Sequence, residues 1–161
     1  MQESELGQPA FPIEREAIEM VRGRDLLIDH YGEWPAFIDV EVIRITLERA
    51  PTDDAATHNL RAVFSTFDIQ RASDDPLRKQ AHTEILFVGV ADLHIHEWSH
   101  QNPIQGLSIT RRHSERLNRT LFRVIWGGIG HETRFDCYQI TVVDVMDLNP
   151  FQKSLLSLNP P

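Results

Sequence analysis

The chain has one cysteine in 161 residues, Cys137. A lone thiol excludes an internal disulfide, which fits a reducing compartment. Long apolar runs are missing too, since nothing approaches the ~20 residues that a membrane-spanning helix requires. The opening stretch MQESELGQPAF lacks the basic-then-apolar order of a secretory signal. The expected location is therefore the cytoplasm, with no membrane as partner. Familiar catalytic scaffolds are absent as well: there is no G-x-S-x-G, no H-E-x-x-H, no P-loop and no G-x-G-x-x-G opening a helix. Nucleophilic, metalloprotease and nucleotide chemistry thus lack their usual frameworks. Neither an internal repeat nor a low-complexity tract is present.

What is there is ordinary in bulk and uneven in detail. A chain of this length with 41% hydrophobic residues can bury one full core, so residues 1–161 are read as a single domain, with 1–12 and 150–161 as loosely docked tails. In the second tail Leu155, Leu156 and Leu158 form one apolar patch. Net charge is −8, and all of it lies at the front: residues 1–54 hold thirteen acids against five arginines, and the remainder balances. An acidic surface disfavours nucleic acid and favours a basic protein partner, with encounter rates that fall as salt rises. Glu14, Glu16 and Glu19, on the polar side of an early helical pattern, are the candidate steering residues.

Apolar spacing predicts a short helix over residues 13–22, with Ile13, Ala17, Met20 and Val21 on one side. Asp25 reads as the N-cap of a second, LLIDHY, and Gly32 stands where a left-handed C-terminal residue is needed. Beyond Trp34-Pro35 the period becomes two. Ile43, Ile45 and Leu47 alternate with Arg44, Thr46 and Glu48, which places Asp39 and Glu41 on the inward parity. Further strands are expected at 59–69, 82–90, 92–98, 105–111, 120–126 and 133–146. Residues 73–80 read as a loop, and Gly127, Gly128 and Gly130 as a hairpin. The fold class is mainly β with a minor α+β character: about seven mostly antiparallel strands behind an N-terminal helical segment. Cys137, between Phe135 and Tyr138, is expected to be a buried, inert thiol.

Three groups of residues bear on chemistry. In HIHEWSH, His94 and His96 share one strand face and with His100, and Glu97 as a further donor, define an alternative reading as a small metal-dependent enzyme. The spacing is permissive and does not by itself close a four-ligand structural site, so neither metal nor cofactor is expected. Asp39 and Glu41 form the second group, two carboxylates that either meet a partner or bond backbone amides of their own chain; inward parity favours the latter. The basic stretch RRHSERLNR, residues 111–119, lacks interleaved aromatics and reads as a solvated hairpin.

The segment YGEWPAFIDVEV, residues 31–42, resembles the opening signature of the immunity protein 50 family of bacterial polymorphic toxin systems, Gly-x-Trp-Pro-Ser-Phe-His-Asp-Ala-Glu-Val. Gly32, Trp34, Pro35, Phe37, Asp39, Glu41 and Val42 match it, while Ala36, Ile38 and Val40 stand where the family has Ser, His and Ala. Two later blocks, FVGVADLHIHEWSHQNPIQGLSI at 87–109 and RFDCYQITVVDV at 134–145, are similar to the family's following patterns. The resemblance implies a protein that binds and blocks a cognate toxin without turnover, a basic nuclease being the partner that suits the charge. It further implies that Gly32, Trp34, Pro35 and Phe37 fix the joint between helix and sheet. Asp39, Glu41, His94 and His96, with the three helix glutamates, are then the candidate contact residues.

Overall fold

Alternation from Val40 onward builds strands, and their apolar sides meet in a two-sheet sandwich. The computed structural model describes residues 11–50, 57–99 and 101–148. The first sheet contains β1 (Val40–Ala50), β2 (Thr57–Phe67), β3 (Gln80–Val88), β5 (Pro103–Ile104) and β9 (Gln139–Asp147), in the order β5-β1-β2-β3-β9. The second contains β4 (Ala91–His96), β6 (Gly106–Ser114), β7 (Arg119–Gly128) and β8 (His131–Cys137), in the order β4-β8-β7-β6. Every strand pairing is antiparallel. Between the sheets Phe64 and Phe87 of the first meet Trp126 and Phe135 of the second, ring centroids 5.0–5.9 Å apart and mostly edge to face. That geometry suits aromatic quadrupoles. All four side chains are buried.

Nine strands are described where the sequence predicts about seven, because one expected strand changes sheets midway and a two-residue strand forms where none is expected. Residues 133–146 divide into β8 and β9 at Tyr138, and β5 at Pro103–Ile104 precedes the expected strand 105–111, found as β6, with Gln105 as the corner between them. A third crossing, β3 to β4, turns at Gly89, whose φ of 69° is left-handed. The two corners at Gly89 and Tyr138 lock together. Tyr138 N–H donates to the Val88 carbonyl at 3.0 Å, and a Cβ on Gly89 would lie 2.0 Å from the Tyr138 ring. Sheet-switching strands of this kind build the corners of closed sandwiches.

The N-terminal segment spans the gap between the edge strands β6 and β9. Ile13 bridges to Ile109 and Arg22 to Thr141, and between these anchors only α1 (Arg15–Glu19) is helical. The expected helix 13–22 is shorter because its ends spend their backbone groups on strand edges; Val142 N–H, for example, donates to the Arg22 carbonyl at 2.8 Å. Docking starts before the expected boundary at residue 12: Phe11 covers Gly106, and Ser108 Oγ donates to the Pro12 carbonyl at 2.8 Å. α2 (Arg24–Tyr31) is capped by Gly23, so Asp25 lies in its first turn and is not the N-cap. Gly32 ends α2 as expected, with φ 86° and its N–H on the Ile28 carbonyl.

Tyr31 fastens α2 to the first sheet. Its hydroxyl lies 2.8 Å from Thr66 Oγ1, which is 2.8 Å from Thr83 Oγ1 and donates to the Ala81 carbonyl at 3.1 Å. With its one proton given to the carbonyl, Thr66 must accept from both other hydroxyls. Burial pushes the Tyr31 phenol up to about 12. Cys137 is fully buried, and desolvation raises its thiol pKa, in line with an inert thiol. The expected hairpin at Gly127–Gly130 joins β7 to β8, and the basic stretch 111–119 forms the β6–β7 hairpin. Leu155, Leu156 and Leu158 lie outside the described residues.

Candidate functional site

The segment of residues 31–42 begins as a joint and leads to a cleft. Phe37 is buried with φ 55°, its ring 5.7 Å from Trp34 and 5.5 Å from Phe64. Pro35 is buried beside it, whereas Trp34 is half-buried at the edge of the core. Together they carry the chain from α2 into β1. Here the structure corrects the expected parity: Val40 and Val42 point into the core, so Glu41 points out and Asp39 sits exposed in the preceding turn. A β-bulge at Ile43 is the reason. The register shifts between Val42 and Arg44, moving the inward set from 40 and 42 to 45 and 47. Ile43, read as inward, is therefore exposed, and Leu47 keeps its parity but lies beyond the cover of the second sheet. No hydrogen bond reaches the carboxylates of Asp39 or Glu41 among the described residues, so the structural role that inward parity favoured is not seen.

Asp39 instead lines an open cleft of about 440 Å³ shared with Glu97, Ser99, Gln101, Pro103, Gln105 and the hairpin Gly128–His131. Three segments distant in sequence are held there by backbone contacts. Asp39 N–H donates to the Ile104 carbonyl at 2.8 Å, Gln105 N–H to Gly127 at 2.7 Å, and Val42 N–H to Asn102 at 3.1 Å. His131 Nε2 is 2.7 Å from the Pro103 carbonyl, which can only accept, so that nitrogen carries the proton. Buried Asn102 organises the loop by taking the Ser99 N–H and returning a bond to the Ser99 carbonyl.

Asp39 and Glu97 both stand on left-handed backbone, φ 57° and 54°. Aspartate tolerates that conformation; glutamate rarely adopts it. Ile38 and Trp98, their chain neighbours, are 41% and 49% exposed, and Ile129 at the hairpin tip is 91% exposed. Of these, Asp39, Glu97 and Ile129 line the cleft, whereas Ile38 and Trp98 adjoin the two carboxylates along the chain without lining it.

The other candidates divide. Glu14 is already engaged: its carboxylate accepts the backbone N–H of Arg111 at 2.8 Å and pairs with the Arg111 guanidinium, tying α1 to β6. Those bonds hold its carboxyl below the usual range, the backbone bond foremost. Glu19 meets Arg15 at 3.3 Å, and Glu16 is exposed. His94 and His96 lie exposed on the outer face of the second sheet, opposite Arg134 and Glu132. His94 borders a polar hollow with Arg123, Arg134 and Asp136. Asp136, buried on that face, is clamped by Arg123 at 2.9 Å and Arg112 at 3.1 Å. His100 lies outside the described residues, among which no three His, Cys, Asp or Glu side chains converge as metal ligands.

Sequence reasoning missed Trp98 and Ile129, and treated Glu97 only as a possible ligand. A tryptophan in an otherwise polar strand end was the one available signal. Compared with protein-family models, curated proteins and solved structures, the chain matches none.

Proposed function

We propose that this protein is an immunity-type binding protein, acting in the cytoplasm, that neutralises a cognate bacterial toxin by stoichiometric blocking without catalysis. The observation that carries the reading is the fate of the segment of residues 31–42: its Trp34, Pro35 and Phe37 build a rigid joint, and the same segment delivers Asp39 to the cleft beside Glu97. A lysine or arginine of the toxin pairs with the two carboxylates, Ile129 buries apolar surface at the cleft, and exposed Ile38 and Trp98, next to the carboxylates in the chain, extend the contact outside it. Backbone contacts hold the three cleft segments before the partner arrives, which lowers the ordering cost of association. No helix among the described residues is long and apolar enough to cross a membrane.

The test uses the product of the reading frame next to this chain's gene, which the proposal requires to carry a toxin domain. Expressed alone it should arrest growth, and co-expression of the wild-type chain should restore growth and give a one-to-one complex. Trp98→Ala combined with Asp39→Lys should lose both. Absence of any complex, or full rescue by the double variant with its fold intact, would overturn the cleft as the blocking surface.

A further inference from the structure

The edge of β1 carries a self-complementary sequence. β5 covers that edge only at Val40 and Glu41, and the Asn102 carbonyl takes the Val42 N–H; from Ile43 on it has no strand partner among the described residues. The exposed stretch reads Arg44-Ile45-Thr46-Leu47-Glu48. Arg44, Thr46 and Glu48 lie on the outer face, while Ile45 and Leu47, opposite Ala62 and Leu60, lie on the inner one. About a two-fold axis at Thr46, antiparallel pairing with an identical strand sets Arg44 against Glu48, Ile45 against Leu47 and Thr46 against itself. Each is a favourable cross-strand pair, and the symmetry makes each charged and apolar pair twice.

We propose that β1 is a homodimerisation edge, paired antiparallel with β1 of a second copy so that the two first sheets become one continuous sheet. The groups required are free to take part. Arg44 makes no ion pair among the described residues, and the Glu48 contact to Arg61 is long, 3.7 Å, because Arg61 bonds Glu84 at 2.7 Å. Leu47 is 58% exposed and Ile43 46%, so apolar surface at this edge is covered only in the dimer. The bulge at Ile43 bends the strand where it meets Asn102 and β5, which limits pairing to the segment 43–49. An unpaired edge is a template for another strand, and here the pattern of opposite charges selects an identical one. One short edge buries little area, so the dimer is a micromolar one.

Sedimentation velocity from ~1 to ~100 µM decides the matter. Wild type should move from monomer to dimer across this range. Arg44→Glu and Glu48→Arg each place two like-charged pairs in the interface and should weaken the dimer by roughly tenfold or more. An equimolar mixture of the two variants should recover it, because every carboxylate then faces a guanidinium. Circular dichroism and thermal melting verify that each variant is folded. A wild type that stays monomeric, single variants that still dimerise, or a mixture that does not associate would each overturn the proposal, the second by pointing to another surface.

Discussion

Among the described residues Phe37 is the largest side chain held in a left-handed backbone conformation, and it is 2% exposed. Its burial was legible in the sequence, since a large aromatic after a strand-entry proline has few other places to go. The φ of 55° was not, because nothing in Trp-Pro-Ala-Phe-Ile requires it; the demand comes from the turn that brings Asp39 to the Ile104 carbonyl. These two features set opposite preferences for the side chain and the backbone. Phe37→Ala should cost about 3–5 kcal/mol by removing a ring packed on Trp34 and Phe64. In an ordinary strand Phe37→Gly would cost about 0.5–1 kcal/mol more than alanine. Here glycine also relieves the roughly 1–2 kcal/mol of left-handed strain that alanine retains, so it should cost no more than alanine. Urea titration of the two variants settles the order, and a clearly worse glycine variant would mean that the backbone at Phe37 is unstrained.

Strands were legible as period-two runs, and so were the Gly127–Gly130 hairpin and the end of α2. Bulges and corners were not. Inserting one residue at Ile43 leaves an apolar pattern that reads equally well on either parity, the corner at Tyr138 carries neither glycine nor proline, and Pro103 and Gly106 around Gln105 read equally well as the flank of a single strand. The corner at Gly89 has a glycine whose role depends on a contact with Tyr138, 49 residues away. A comparison of two glycines isolates that contact. Gly32→Ala incurs only left-handed strain of about 1–2 kcal/mol, since nothing lies within 4 Å of the added carbon. Gly89→Ala incurs the same strain and in addition displaces the Tyr138 ring, overpacking that typically costs ~1–3 kcal/mol more. Thermal or urea denaturation should therefore rank Gly89→Ala well below Gly32→Ala in stability. Equal losses would show that the two corners do not depend on each other.

Over the whole molecule, the sequence located charge along the chain but could not locate it in space. Of the acids it singled out, Glu14 is neutralised by Arg111, Glu19 meets Arg15, and Asp39 stands open at the cleft, where Glu97, from the charge-balanced part of the chain, joins it. Residues 39, 97 and 129 share no pattern that spacing could reveal, because the sheet crossings bring them together. This arrangement refines the proposed steering of a basic toxin. A triple change at Glu14, Glu16 and Glu19 would break the tie between α1 and β6 as well as alter the field, so it confounds folding with association. Glu16→Lys alone changes an exposed charge that acts on Arg111 through its field but makes no hydrogen bond or ion pair among the described residues, whereas Asp39→Asn with Glu97→Gln removes charge at the cleft itself. If the net charge of −8 attracts the toxin domain, association should slow as added salt shortens the Debye length from about 30 Å to about 8 Å, with dissociation changing less. Glu16→Lys should lower the on-rate and leave the off-rate unchanged; the cleft pair should raise the off-rate as well. Stopped-flow association at several ionic strengths separates these outcomes. An on-rate indifferent to salt and to Glu16→Lys would reduce the acidic front to a solubility feature, and an off-rate indifferent to the cleft pair would move the contact surface elsewhere.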